Sequence, residues 1–221
     1  MKISPSSKLI LNYLDIPNGI GGRGGALRFF LLSQDIPFEE KLFNMSDEWP
    51  AEKKRLAESG ENPSSKTPVV FADGKTPLPE HIATARLLAN VHGCASTDLY
   101  KNFVQDLVAD EYQGFRDTWV HQLFSAPEEE KATYINEGLP KQLEQFDALY
   151  TSFMTHDTYL GISEKTNQPL WGDAACFGLV RDHIVTGMMT RDDLKKYKKL
   201  DAMFAAYEKI PAVEKWIASK N

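Results

Sequence analysis

Lys66-Thr67-Pro68-Val69-Val70, followed ten residues later by Glu80-His81 at the head of a helical pattern, is the stretch that decides how this chain is read. Pro68 stands between a short polar loop (Asn62-Pro63-Ser64-Ser65) and an apolar β-branched pair. A proline there bends the chain into a strand, at a position that admits a cis bond. The first residue of such a strand offers its backbone N–H and C=O to a peptide-like ligand lying alongside. Pro77-Leu78-Pro79-Glu80-His81-Ile82-Ala83 then reads as a turn launching a helix, whose free N–H groups favour a carboxylate. A peptide hook and an anion hook about a dozen residues apart suggest a site for a small acidic peptide.

Outward from that stretch, the first 93 residues mix short apolar runs with helical periodicity. Lys8–Tyr13, Phe38–Leu42, Pro68–Phe71 and Lys75–Leu78 read as strands, with a tight turn at Ala72-Asp73-Gly74-Lys75. Gly24–Gln34 and Glu80–Val91 read as helices. The order β-α-β-α-β-β-α suits a small sheet with helices packed on it. Gly93-Cys94-Ala95-Ser96-Thr97 has linker composition. From Asp98 onward the period is helical: Val104, Leu107, Val108, Tyr112, Phe115 and Trp119 recur at spacings of three and four, with Asp106, Asp110 and Gln113 on the other side. Leu139, Leu143, Phe146 and Leu149 mark another helix, with Pro140 at its start or a kink. Gly172–Val180 is small and apolar, as a buried helix should be, and Leu194–Lys209 and Val213–Ser219 give two more. The expected domains are 1–93 and 94–221.

A length of 221 residues allows one large domain or two small ones around a sizeable core. The formal charge of −6 argues against a general binder of nucleic acid or membrane surfaces. An anionic ligand must therefore meet locally concentrated cations, for which Arg23, Lys53 and Lys66 are the candidates. Cys94 and Cys176 lie far apart, and the five histidines form no ligand pattern, so no metal site is expected. Nothing approaches a membrane span or a cleavable leader, and the expected location is the cytoplasm.

Five motifs in order carry a resemblance that runs along nearly the whole chain. They are Ile10–Ile16 with Tyr13, the helix start Gly22-Arg23-Gly24, Trp49-Pro50-Ala51-Glu52-Lys53, Lys66-Thr67-Pro68, and Lys209–Ile217. The sequence resembles the cytosolic glutathione transferases of the tyrosine type, closest to the sigma class with a mu-like first strand. The resemblance implies the glutathione transferase fold, an α/β thioredoxin-like N-terminal domain followed by an all-α C-terminal domain. It implies a homodimer that takes glutathione as co-substrate, needs no metal, and conjugates it to hydrophobic electrophiles in detoxification. Glutathione-dependent isomerisation of the prostaglandin type, or a catalytically weak structural or ligand-binding role, are the alternatives. Thiol-disulfide chemistry is disfavoured, because no serine or cysteine lies between Leu14 and Gly25.

By that resemblance Tyr13 is the catalytic donor and Arg23 lies near the sulfur. Trp49, Lys53 and Lys66 approach the glycyl end of glutathione, while Thr67 pairs with the cysteinyl backbone and Pro68 holds the bend. Glu80 receives the γ-glutamyl amine, His81 its carboxylate, and Asp110 (or Asp106, one turn away) reaches the partner subunit's site. The pattern is broken at His81, where the family has serine, and in Asp15–Gly22, about four residues longer than usual. Asp173 resembles a buried helix-capping aspartate. Tyr112, Phe115, Trp119 and the glycine loop are expected walls of the electrophile pocket.

Overall fold

Alternation along the first strand divides the sheet into two differently covered faces. In β1 (Leu9–Leu14), Leu9 and Leu11 point into the main core and the buried Tyr13 lies on the same side, whereas Ile10, Asn12 and Leu14 face the other way. The computed structural model describes residues 3–220. β1 is followed by α1 (Gly22–Ser33), β2 (Glu39–Phe43), α2 (Glu48–Ser59), β3 (Val69–Ala72), β4 (Thr76–Pro79) and α3 (His81–Val91). The strand order is β2-β1-β3-β4, with β1 and β2 parallel and the other pairs antiparallel. On one face α1 and α3 complete the main core; on the other, Leu56 of α2 meets Val69, Phe71 and Trp49 in a small separate cluster.

Beyond α3 every regular element among the described residues is helical, apart from an isolated bridge between Ile162 and Pro169. The long α4 (Leu99–Phe124) starts at Asp98, whose carboxylate accepts the Tyr100 N–H at 2.9 Å. Then come α5 (Glu128–Thr133), a π-helical segment (Tyr134–Gly138), α6 (Leu139–Phe153), α7 (Trp171–Val185), a 3₁₀ turn (Asp193–Lys196), α8 (Lys198–Tyr207) and α9 (Pro211–Ala218). The stretch expected as one helix from Leu194 is thus a 3₁₀ turn and a separate helix. α7 is the hub, nearly all buried and packed on α1, α4 and α8. Phe29 of α1 meets Phe177 and Trp216 edge-on, at 5.0 and 5.2 Å between ring centres, which locks the sheet-bearing half to the helical half.

Candidate active site

An open cleft of about 540 Å³ lies between the two halves. Its first wall comes from the loop before β3 and the head of α3: Ser65, Lys66, Thr67, Pro68, Glu80 and His81, with Trp49 of α2 at one end. Its second wall comes from Arg23 in the first turn of α1 and from Gln113 and Asp117 on α4.

Local hydrogen bonds fix the first wall. The Asn62 side-chain amide donates to the Lys66 carbonyl at 2.7 Å, and the Thr67 hydroxyl donates to the Asn12 carbonyl at 3.1 Å, tying the bend to β1. The Thr67–Pro68 bond is cis. Ser65 and Glu80 both have φ in the left-handed region, at 52° and 65°. For non-glycine residues this costs on the order of 1–3 kcal/mol, and such residues gather at ligand sites. Glu80 is the residue that precedes α3, so its exposed carboxylate stands beside the unpartnered first N–H groups of that helix.

His81 is 2% exposed, with its ring edge-on to Tyr112 and its Nε2 unpartnered. Burial, reinforced by the positive charges of Arg23 and Arg116, pushes its pKa down to about 3. It therefore meets a ligand as a neutral imidazole. On the second wall, Arg23 of α1 forms an ion pair with Asp117 of α4, both side chains remaining solvent-accessible.

Of the residues singled out from sequence, Arg23, Trp49, Lys66, Thr67, Pro68, Glu80 and His81 line this one cleft. Lys53 does not: it stands exposed on α2, away from the lining. Asp110 also lies outside, exposed on α4. Asp106 is engaged within the chain, accepting from Arg86 Nε at 2.8 Å and Trp171 Nε1 at 2.9 Å.

Tyr13 is near the cleft but not among its lining residues. It is 5% exposed, and its ring and hydroxyl rest on the backbone of Gly22 and Gly24. A Cβ built on Gly22 would overlap the hydroxyl, and one on Gly24 would overlap the ring, so only glycine fits at either position. Burial raises the phenol pKa, and the nearby Gly24 backbone amide only partly opposes this. The group stays a protonated donor.

Tyr112, Phe115 and Trp119 are not pocket walls. They are 0%, 4% and 1% exposed, because this face of α4 packs on α7 and, through Phe115 and Phe146, on α6. None of the glycine loop 15–22 lines the cleft either. That loop packs under α7 and the end of the chain, where Gly19 faces Arg181 and Lys220. Gln113 and Asp117 take the wall instead, one turn apart on the polar face that Asp106 and Asp110 already marked.

Asp173, at the start of α7, accepts from Tyr150 Oη at 2.9 Å, the Leu160 N–H at 3.1 Å and Gln105 Nε2 at 3.3 Å. It joins α4, α6 and α7 and lies away from the cleft. Among the described residues no group of three or more His, Cys, Asp or Glu side chains could hold a metal, and no helix is long and apolar enough to cross a membrane.

Residues 113–220 match the family model described as the C-terminal domain of glutathione S-transferase. A curated glutathione S-transferase of Anopheles gambiae is 34% identical over 93 residues, a stretch spanning 42% of this chain and 42% of that protein. Among solved structures, prostaglandin synthase D of Nilaparvata lugens superposes with a TM-score of 0.75 at 22% identity, covering 97% of this chain and 98% of the other. A Pi-class glutathione S-transferase of Onchocerca volvulus gives 0.76 at 19% identity, covering 96% and 93%. A monomeric glutathione S-transferase of the hookworm Necator americanus gives 0.75 at 21%, covering 97% and 98%. In these comparisons the chain is similar to glutathione S-transferases. It has their fold, a thioredoxin-like N-terminal domain joined to an all-helical C-terminal one.

Proposed function

We propose that the cleft binds reduced glutathione and that the protein is a cytoplasmic glutathione transferase. The observation that carries this reading is the meeting of the Lys66–Pro68 bend and the Glu80–His81 helix head in one cleft, facing a cation. The Thr67 backbone pairs with the cysteinyl residue. Glu80 takes the γ-glutamyl ammonium, and the His81 N–H with the start of α3 takes the adjoining carboxylate. Lys66, with Trp49 beside it, takes the glycyl carboxylate, since both line the cleft and Lys53 does not.

The thiol is then directed toward the start of α1. A thiol of pKa about 8.5 is only a few per cent ionised near neutrality, and a shift of about two units needs roughly 2.7 kcal/mol. One hydrogen bond to a charged group supplies about 1.5–3 kcal/mol. Tyr13 fits that donor role, being kept protonated by burial. Reaching the sulfur requires a small shift of the Gly22–Gly24 backbone that now covers the hydroxyl. A second reading rests on the fact that Arg23 lines the cleft and Tyr13 does not. In it the guanidinium supports the thiolate electrostatically.

The second wall presents an arginine, a glutamine and an aspartate, so we assign it electrophiles with polar groups as well as apolar bodies. Glutathione-dependent isomerisation of an oxygenated lipid fits the same wall, and the likeness to a prostaglandin synthase structure supports it as the alternative. We further propose a homodimer. Leu87, Leu99, Tyr100 and Phe103, on α3 and the first turns of α4, expose large apolar side chains that a second copy would cover. Retention on immobilised glutathione together with turnover of a simple aryl halide tests the transferase reading. Binding without turnover, of the aryl halide or of an oxygenated lipid, would leave a ligand-binding protein, and neither binding nor turnover would dismiss the reading.

A further inference from the structure

A buried arginine stands on the apolar stripe of α4, between Tyr112 and Trp119, and a buried aspartate stands near the end of α7. Arg116 and Asp182 are both wholly inaccessible, and Arg116 Nη1 donates to Asp182 Oδ2 at 2.6 Å. Replacing such a pair with apolar residues commonly leaves a core as stable or more so, so stability alone does not account for it.

We propose that the Arg116–Asp182 pair is a positioning device for Tyr13, acting through the turn that leads into α1. The inference rests on the reading that Tyr13 activates the thiol. The Asp182 carboxylate takes the Gly21 N–H on Oδ1 at 2.7 Å and the Gly22 N–H on Oδ2 at 2.8 Å. Gly21 has no side chain to cap α1, so the cap is supplied from a helix some 160 residues away. Arg116 fixes the carboxylate that does this. It is itself held by Nε donation to Tyr112 Oη at 3.2 Å and by the faces of Tyr112 and Trp119, 5.4 and 4.8 Å from the guanidinium carbon. The neighbouring Arg181 donates to the Gly19 carbonyl, so α7 grips the loop at both ends of its last turn.

The gripped backbone is the surface on which Tyr13 lies. Gly22, at φ 56°, lies against the phenol oxygen, where a Cβ would overlap it, and Gly24 lies against the ring. A displacement at Gly21–Gly22 therefore passes to the phenol and sets how far its hydroxyl is uncovered toward the thiol. Arg116 and Asp182 touch neither ligand nor reacting atoms; they decide where the donor stands.

The test is a double-mutant cycle in the full-length protein, with turnover followed against pH. Asp182→Asn keeps the shape but removes the charge and one acceptor. It should cut kcat by roughly tenfold and raise the pH of half-maximal kcat by about one unit, with glutathione Kd changed less than about twofold. In the Tyr13→Phe background the same substitution should add nothing. Equal losses in both backgrounds would overturn the positioning role while leaving Tyr13 as the activator. A silent Tyr13→Phe would instead overturn the activation reading and this inference with it. Should the Asp182 variant not fold, amide exchange on the parent decides. The Gly21 and Gly22 N–H groups should exchange on the order of 100-fold more slowly than that of Gly74 in the open β3–β4 turn, and equal rates would refute the clamp.

Discussion

The two walls of the cleft are made of different material. The wall from β3 and α3 is largely backbone, with a proline bend, two residues held at positive φ and the bare head of a helix. The wall from α1 and α4 is side chain, with Arg23 and Asp117 paired and Gln113 beside them on α4. Backbone held by the sheet can move little, so the first wall suits one invariant ligand. Long side chains on a helix surface can rearrange at small cost, so the second suits ligands that vary. A constant co-substrate facing a variable partner is what conjugation requires.

That contrast breaks first at Tyr13, which lies where the walls meet. Tyr13→Phe keeps the ring and should lower turnover about ten- to hundred-fold, with a much smaller loss in glutathione affinity. An unchanged rate, together with a large loss in Arg23→Gln, would transfer activation to the side-chain wall. Next, the backbone wall's cation can be checked by calorimetry. Lys66→Ala should weaken glutathione binding by about 1.5 kcal/mol, at the low end for a charged hydrogen bond because Lys66 is exposed. Lys53→Ala should change it by less than about 0.5 kcal/mol. The reverse order would move the glycyl end of the ligand toward α2.

The side-chain wall stands on α4, whose seat on α7 includes Gln105 and the buried Asp173. Burial pushes the Asp173 carboxyl up to about 7, only partly opposed by its hydrogen-bond donors. A carboxyl in the unfolded chain titrates near 3.9, so folding favours the protonated form. Its contribution to stability is complete below about pH 4 and is lost as pH rises through about 7. Denaturation midpoints measured from pH 5 to 8 should fall from this group by at most about 1.4 kcal/mol per pH unit, and Asp173→Asn should flatten that slope. A slope that survives the substitution would assign it to other groups. The smallest effect is expected on the second wall itself. Asp117→Asn frees Arg23 and should change KM for the electrophile a few-fold, about 1 kcal/mol or less, while glutathione affinity holds. An equal change in both would mean that the walls do not divide the ligands as described.

How far the sequence carried depends on the range of each signal. Pro68, Glu80 and the start of α3 are encoded by their immediate neighbours and were legible, as was the succession of strands and helices. The apolar stripe of α4 told which face is buried but not against what, which is why Tyr112, Phe115 and Trp119 were expected at a pocket and stand in the core. The polar stripe of Asp106, Asp110 and Gln113, continued by one turn, would have found Asp117. Arg116 and Asp182 carried a different signal, a charge on an apolar face, but their partnership spans 66 residues and has no local mark. α5 and the π-helical segment went unseen because Glu128–Lys131 is charged throughout and has no apolar period. Lys53 and Lys66 differ only in how α2 and the β3 bend are set, which depends on tertiary packing.

Whether glutathione occupies the backbone wall can be read from backbone amide shifts during a glutathione titration of the parent protein. The largest saturable shifts should fall on Lys66, Thr67, Glu80, His81 and Ile82. Smaller shifts should reach Gly22 and Gly24, and the α6–α8 amides should stay unmoved. Saturable shifts confined to the helical half, or none at millimolar glutathione, would contradict it.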